Sequence, residues 1–139
     1  SLEITSLLKE LGAKKVVSKA SRVRQAEFLK KLGADEVFFP EKEIAEKLAI
    51  RYNSSSIFDY SELSSEYSVF EIAIIPEWTG KNIMEINVRQ KYNVNIIAIK
   101  KGTAIDPLPG GDYIFDKDDH IIVIGKPSDV FRLTSKTDR

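Results

Sequence analysis

The sequence predicts an α/β protein in two parts: a partial Rossmann-like parallel sheet, followed by a small α+β module. Three observations predict it. Helical apolar stripes alternate with short β-branched runs over residues 2–52, a polar Asn53-Ser54-Ser55-Ser56 stretch then breaks the pattern, and beyond it strands follow in quick succession. The 139 residues suit two small units, 1–53 and 57–139, and the 42% hydrophobic content supplies a core without cross-links.

In the first part, Ile4, Leu7, Leu8 and Leu11 recur at helical spacing and Gly12 marks the stop. Residues 14–20, with Val16 and Val17 at their centre, read as a buried strand. Ser21 caps a second helix over residues 22–32, with Val23, Ala26, Leu29 and Leu32 on one face and Gly33 at its end. Residues 35–39 give the next strand, closed by Pro40, and a third helix spans about residues 41–52 through Ile44, Ala45, Leu48 and Ala49. The order helix, strand, helix, strand, helix is that of a doubly wound parallel sheet. Two strands are too few for an independent sheet, so this part is expected to lean on a partner chain. Ser1 stands where Met would, and a helical pattern starts at once, so further polypeptide is expected upstream.

In the second part, residues 66–75 alternate as a long strand that Pro76 ends. Ile83, Met84, Ile86 and Val88 lie in a helix reaching about Tyr92. Strands are then expected at residues 94–100, 103–106, 113–115 and 120–124, with an Asp116-Lys117-Asp118-Asp119 hairpin turn before the last. Pro127-Ser128-Asp129 opens a final helix through Val130, Phe131 and Leu133.

Composition excludes much chemistry. The absence of Cys removes thiolate nucleophiles, Cys zinc sites, iron–sulfur clusters and redox pairs. One histidine removes multi-His metal sites, and 21 basic against 21 acidic residues argues against nucleic acid as a partner. No run approaches the length of a membrane helix, so the protein is expected to be cytoplasmic. The glycines of Leu11-Gly12-Ala13 and Leu32-Gly33-Ala34 end helices and do not open them, so neither is a phosphate loop.

Lys19, Ser21 and Arg22 fall where a strand gives way to a helix, the edge at which open α/β sheets bind ligands; they suit an anion contact or a solvated basic turn. Glu41 follows Pro40 at the same edge, where it suits either a divalent cation or complementation of a helix dipole. His120 reads as a strand-end residue with no carboxylate partner beyond the turn acids, and Trp78 as a packing anchor. Arg89 and Asn95 place a planar cation and an amide beside Ile83, Ile86 and Ile96, a donor fork next to an apolar wall that suits a phosphate with its base, or equally a helix end and a turn.

Together these segments resemble the RCK family of potassium-transport regulators. The resemblance lies in Leu8-Lys9-Glu10-Leu11-Gly12-Ala13, Val17-Ser18-Lys19-Ala20, Leu32-Gly33-Ala34-Asp35 and Phe39-Pro40-Glu41. It continues through Gly80-Lys81, Asn87-Val88-Arg89, Asn95-Ile96-Ile97-Ala98-Ile99-Lys100, Pro107 and Asp119-His120-Ile121-Ile122-Val123-Ile124-Gly125.

It implies that residues 1–53 are the C-terminal half of the RCK N-terminal domain and residues 57–139 the RCK C-terminal subdomain. Lys19 and Glu41 would border an adenine nucleotide site, for ATP, ADP or NAD, that this fragment does not retain, with Glu41 also a divalent-cation ligand. In the C-terminal subdomain a cyclic di-AMP pocket between two subunits would use Ile83, Met84, Ile86, Asn87, Arg89, Val94, Asn95 and Pro107. Asn87 stands where an acid can occur in the family, and Val94 where a His can occur. The implied protein is a non-enzymatic regulatory subunit. It would form a homodimer and a ring-shaped oligomer, sit at the inner face of the membrane through its transporter partner, and gate potassium transport. An NAD-binding oxidoreductase fragment, or the same module serving another transporter or channel, are the alternatives.

Overall fold

The computed structural model describes residues 2–138, which divide into two compact units, Ser1–Glu46 and Lys47–Arg139. The first contains α1 (Leu2–Glu10), β1 (Val17–Lys19), α2 (Val23–Lys31), β2 (Glu36–Phe38) and the start of α3 (Pro40–Asn53). β1 and β2 pair in parallel, Ser18 opposite Val37, with α2 as the crossover. Ala20, Leu29 and Ala34 form a small core with Leu2, Ala26, Val37 and Phe39 around it. The apolar stripe expected to bury α1 faces outward within the chain: Ile4, Leu7, Leu8 and Leu11 are exposed, whereas Thr5 is buried against the Ser18 hydroxyl at 2.8 Å. Val17, Val23, Phe28 and Phe38 are exposed as well. The periodicity is a true helix signal, but the stripe is not buried within the chain.

The second unit takes up the end of α3 and continues through β3 (Ile57–Glu62), β4 (Ser68–Ala73), a 3-10 turn (Pro76–Trp78), α4 (Ile83–Ile86) and α5 (Val88–Tyr92). β5 (Asn95–Lys101), β6 (Ala104–Asp106), β7 (His120–Gly125) and α6 (Pro127–Thr134) complete it. Its sheet has the order β3-β4-β7-β5-β6 and every pairing is antiparallel. Alternation sends Phe70 and Ile72 of β4 and Ile121 and Val123 of β7 into one core with Ile57, Ile75, Trp78, Ile99, Phe115, Val130 and Leu133. Trp78 is the packing anchor expected, its ring 5.4 Å from Tyr92 and 5.8 Å from Phe115.

Three expectations need correction. Residues 57–62 form an edge strand where none was foreseen; its run of Asp59, Ser61 and Glu62 reads as loop because one edge is solvated, and a bulge at Phe58 breaks the alternation. The helix over residues 83–92 is two, because Asn87 adopts φ 54° and ends α4 in a left-handed cap. Residues 113–115 make only an isolated bridge, Asn82 to Ile114.

That last segment is held by a buried acid. The Asp119 side chain is fully buried, and its Oδ2 accepts the Tyr113 hydroxyl at 2.8 Å and the Asp116 N–H at 2.8 Å. Burial, then the bond to Asp119, pushes the Tyr113 phenol up to about 12, so it stays a donor. The turn acids therefore do more than reverse the chain. With Tyr113 pinned, loop carbonyls accept the amides that α4 leaves open at its start: Ile83 N–H to Tyr113 and Met84 N–H to Gly111. Asn82 and Glu85 close the same end as a reciprocal capping box.

On the outer sheet face, His120 does have a carboxylate partner, in a neighbouring strand and not in the turn. Glu71 Oε1 lies 2.9 Å from His120 Nδ1 and accepts from Lys100 Nζ at 3.0 Å, while Phe58 stacks on the imidazole at 4.0 Å. Cross-strand register, Ala73 and Lys100 each opposite His120, brings these groups together. Burial alone would raise the Glu71 carboxyl, but the bonds from His120 and Lys100 outweigh it and hold the group below its ordinary value of 4.5.

Two outcomes follow. Asp119→Ala leaves the half-buried Tyr113 phenol and the Asp116 amide without their acceptor, and at about 1–2 kcal/mol per partly solvated unpaired group it should lower the unfolding free energy by roughly 2–4 kcal/mol in urea titrations; a loss under about 1 kcal/mol contradicts the anchor. Glu71, with its folded pKa depressed, stabilises the fold above pH 4.5 and loses that contribution as the pH falls through the folded value. Thermal unfolding of Glu71→Gln should thus differ from wild type more at neutral pH than in acid, with the gap shrinking as the pH falls below 4.5; an equal gap at all pH values contradicts the pairing.

Candidate functional site

The cluster expected from the second half comes together around α4, α5 and the start of β5. Asn87 and Asn93, with φ of 54° and 56°, bracket α5, so that short helix is turned at both ends by residues that tolerate the left-handed region. α5 presents Arg89, and β5 opens with Asn95. Arg89 Nε donates to Asn95 Oδ1 at 2.6 Å, and Asn87 Nδ2 donates to Gln90 Oε1 at 2.9 Å. The remaining guanidinium donors of Arg89 have no partner among the described residues, which leaves a planar cation oriented by one bond with its two-pronged end available.

Beside this pair lies a cavity of about 330 Å³, lined by Ile83, Met84, Asn87, Val88, Arg89, Asn95, Ile96, Pro109 and Gly111. Gly111 is required by contact, since a Cβ there would lie 2.6 Å from Met84 Cγ. The Asp119-anchored loop thus forms one wall and the helix pair the other. An apolar wall facing a charged fork accommodates a flat base together with an anion. The lining consists of aliphatic side chains, amides and one guanidinium, groups that can bind and orient a ligand.

The candidate residues divide as follows. Ile83, Met84, Asn87, Arg89 and Asn95 line this cavity, while Ile86 is buried in the core behind it. Val94, also buried, lines a second cavity of about 370 Å³ with Tyr67, Arg89, Asn93, Asn95 and Ile124. Pro107 is exposed and outside both linings, and Pro109 is the proline at the wall. Tyr67 and the Pro109–Gly111 loop were missed from sequence; an aromatic at the end of a polar hairpin carries no periodic signal, and the loop reaches α4 only because Asp119 is buried.

In the first unit, Lys19 Nζ lies 3.5 Å from Glu41 Oε1, and both side chains are more than half exposed. The strand end and the helix start therefore meet as expected. Glu41 offers one carboxylate, and no group of three or more His, Asp or Glu side chains able to hold a metal occurs among the described residues. An ion there would need further oxygens from elsewhere. No helix among the described residues is long and apolar enough to cross a membrane.

Residues 69–136 match the TrkA-C domain. The chain is 34% identical over 136 residues to the Ktr system potassium uptake protein C of Bacillus subtilis, covering 98% of this chain and 62% of that protein. It is 33% identical over 132 residues to the Ktr system potassium uptake protein A of the same organism, 95% of this chain and 60% of that one. The chain thus spans about three fifths of the length of these relatives. Among solved structures, the RCK C domain of the potassium transport protein KtrA in complex with cyclic diadenosine monophosphate is 22% identical, covering 68% of this chain and 96% of its own at a TM-score of 0.46. With a TrkA-C match over residues 69–136 and alignment along nearly its whole length with two Ktr proteins, the chain is similar to the RCK-type regulators of potassium uptake.

Proposed function

We propose that this chain is the ligand-sensing part of a cytoplasmic regulatory subunit of a potassium transport system, without catalytic activity. Residues 1–53 would be the C-terminal half of the nucleotide-binding domain, and residues 57–139 the C-terminal subdomain. The observation that carries the reading is the Arg89–Asn95 fork at the mouth of an apolar cavity in a TrkA-C domain. A cyclic dinucleotide such as cyclic di-AMP matches that site in charge and shape: Arg89 takes a phosphate in a two-pronged bond while Ile83, Met84 and Ile96 cover a base. Val94, where a His can stand in the family, covers the ligand from the neighbouring side without adding charge.

The first unit supports the same reading in a different way. Its exposed Ile4, Leu7, Leu11, Val23 and Phe28 are what an incomplete domain shows, and they suit contact with the rest of that domain or with a second subunit in a ring. Lys19 and Glu41 border the nucleotide edge, and Glu41 would give one oxygen to a divalent cation bound with the nucleotide's phosphates. The relatives' potassium uptake role points to a membrane transporter as the partner. A ligand gates such a partner only by binding open and closed states of the assembly with different affinity.

Calorimetry with cyclic di-AMP tests the reading. Saturable heat that Arg89→Ala reduces at least tenfold in affinity is expected, since a charged hydrogen-bond donor to phosphate is removed. Absence of heat at millimolar ligand would remove cyclic di-AMP as the ligand.

A further inference from the structure

We propose that the turn after α6 is a releasable clasp, in which Asp138 gathers the hydroxyls of Ser54, Ser55 and Ser56 and so holds the last turn of α3 beside α6. Ser54 Oγ donates to Asp138 Oδ2 at 2.7 Å, and Ser55 Oγ and Ser56 Oγ donate to Oδ1 at 2.7 and 2.6 Å. Between 82 and 84 residues separate these donors from their acceptor, so the bonds close a loop that takes in the whole sheet. Ser54 Oγ also accepts the Ser56 N–H at 3.3 Å, and the Ser56 carbonyl accepts the Ala73 N–H at 2.8 Å. The polar stretch between α3 and β3 is therefore a fastened connection and not a slack one.

What lies under the fastening makes it releasable. α3 has no fully buried residue, and from its last turn Ile50 packs against the core while staying partly exposed. Beside that turn lies a cavity of about 430 Å³, with Ala49 and Ile50 of α3, Phe131 and Thr134 of α6, and Ser54 and Asp138 of the clasp in its lining. Empty space offers no partner atoms, so packing under the turn is incomplete and the polar bonds carry much of the hold. Ser55 and Asp138 are exposed, and water can take their place in these bonds. Closure also has a cost, because the Thr137 hydroxyl is buried without a hydrogen bond among the described residues and is solvated once the turn lifts. Burial alone would raise the Asp138 carboxyl, but the bonds from Ser56, Ser54 and Ser55 outweigh it and hold the group below its ordinary value of 3.8, so the acceptor is charged at neutral pH. The β4–β7 ladder uses none of these side chains, and the clasp can open while the sheet stays folded.

Hydrogen–deuterium exchange of the chain at neutral pH, read by mass spectrometry, tests the clasp. It compares wild type, Asp138→Ala, a triple variant with Ser54→Ala, Ser55→Ala and Ser56→Ala, and the combination of all four changes. In Asp138→Ala the peptide covering residues 47–56 should exchange at least about tenfold faster, because bonds to a charged acceptor are lost, while peptides from β4 and β7 keep their wild-type rates. The triple variant should match it within about twofold and the combination should add nothing, since both sets of changes remove the same bonds. Unchanged exchange at residues 47–56 overturns the clasp. An equal rise in β4 and β7 overturns it too, since Asp138 would then support the whole unit and not one local closure, and so does a combination whose effect is the sum of the separate ones.

Discussion

One buried carboxylate sets the geometry of the second unit. Asp119, at the foot of β7, has no exposed side-chain surface, and its bonds to Tyr113 and the Asp116 amide fix a loop that otherwise has no strand partner. Because that loop is fixed, its carbonyls can finish the amino end of α4; because α4 is finished there and closed by Asn87 at the other end, α5 starts at a defined angle and carries Arg89 to Asn95. An apolar residue at position 119 would remove the acceptor of Tyr113 and of the Asp116 amide and leave the loop to its backbone bonds with residues 80–84 and the buried Phe115 ring. Two hydrogen bonds to Oδ2 offset part of the cost of burying this carboxylate, while buried Oδ1 has no hydrogen bond and only Lys101 Nζ at 4.0 Å.

The sheet contributes the other half of the geometry. Pairing of β5 with β7 sets Asn95 opposite Ile124 and Lys100 opposite His120, so the Arg89–Asn95 pair and the Glu71 cluster lie at opposite ends of the same two strands. The site itself is short of chemistry and rich in recognition: amides, one guanidinium, aliphatic walls. That composition agrees with a regulator, in which binding free energy shifts a conformational equilibrium and no bond is made or broken.

Much of this was legible in the sequence, for physical reasons that differ by residue. Strands β4 and β7 declare themselves because one face is fully buried and the alternation is strict from Phe70 to Ile72 and from Ile121 to Val123. Arg89 and Asn95 could be joined because six residues separate a helix end from a strand start. β3 was hidden by its solvated edge, and the break at Asn87 by an asparagine that any helix surface accepts. His120 with Glu71 could not be read at all, since 49 residues and a cross-strand register separate them. Tyr67 was silent for the same reason: the hairpin that fixes it is local, but the cavity it borders is assembled from α5, β5 and β7. The outward-facing stripe of α1 shows the reverse case, a strong local signal for the helix that says nothing of whether its apolar face is buried.

The central claim is that Arg89, held by Asn95, is the phosphate anchor of a nucleotide site. A crystal structure of the chain grown with cyclic di-AMP tests it most directly. The account predicts phosphate oxygens within hydrogen-bond distance of the free Arg89 guanidinium nitrogens, with a base against the Ile83–Met84 wall. Ligand density elsewhere, with Arg89 still bonded to Asn95 alone, would contradict it.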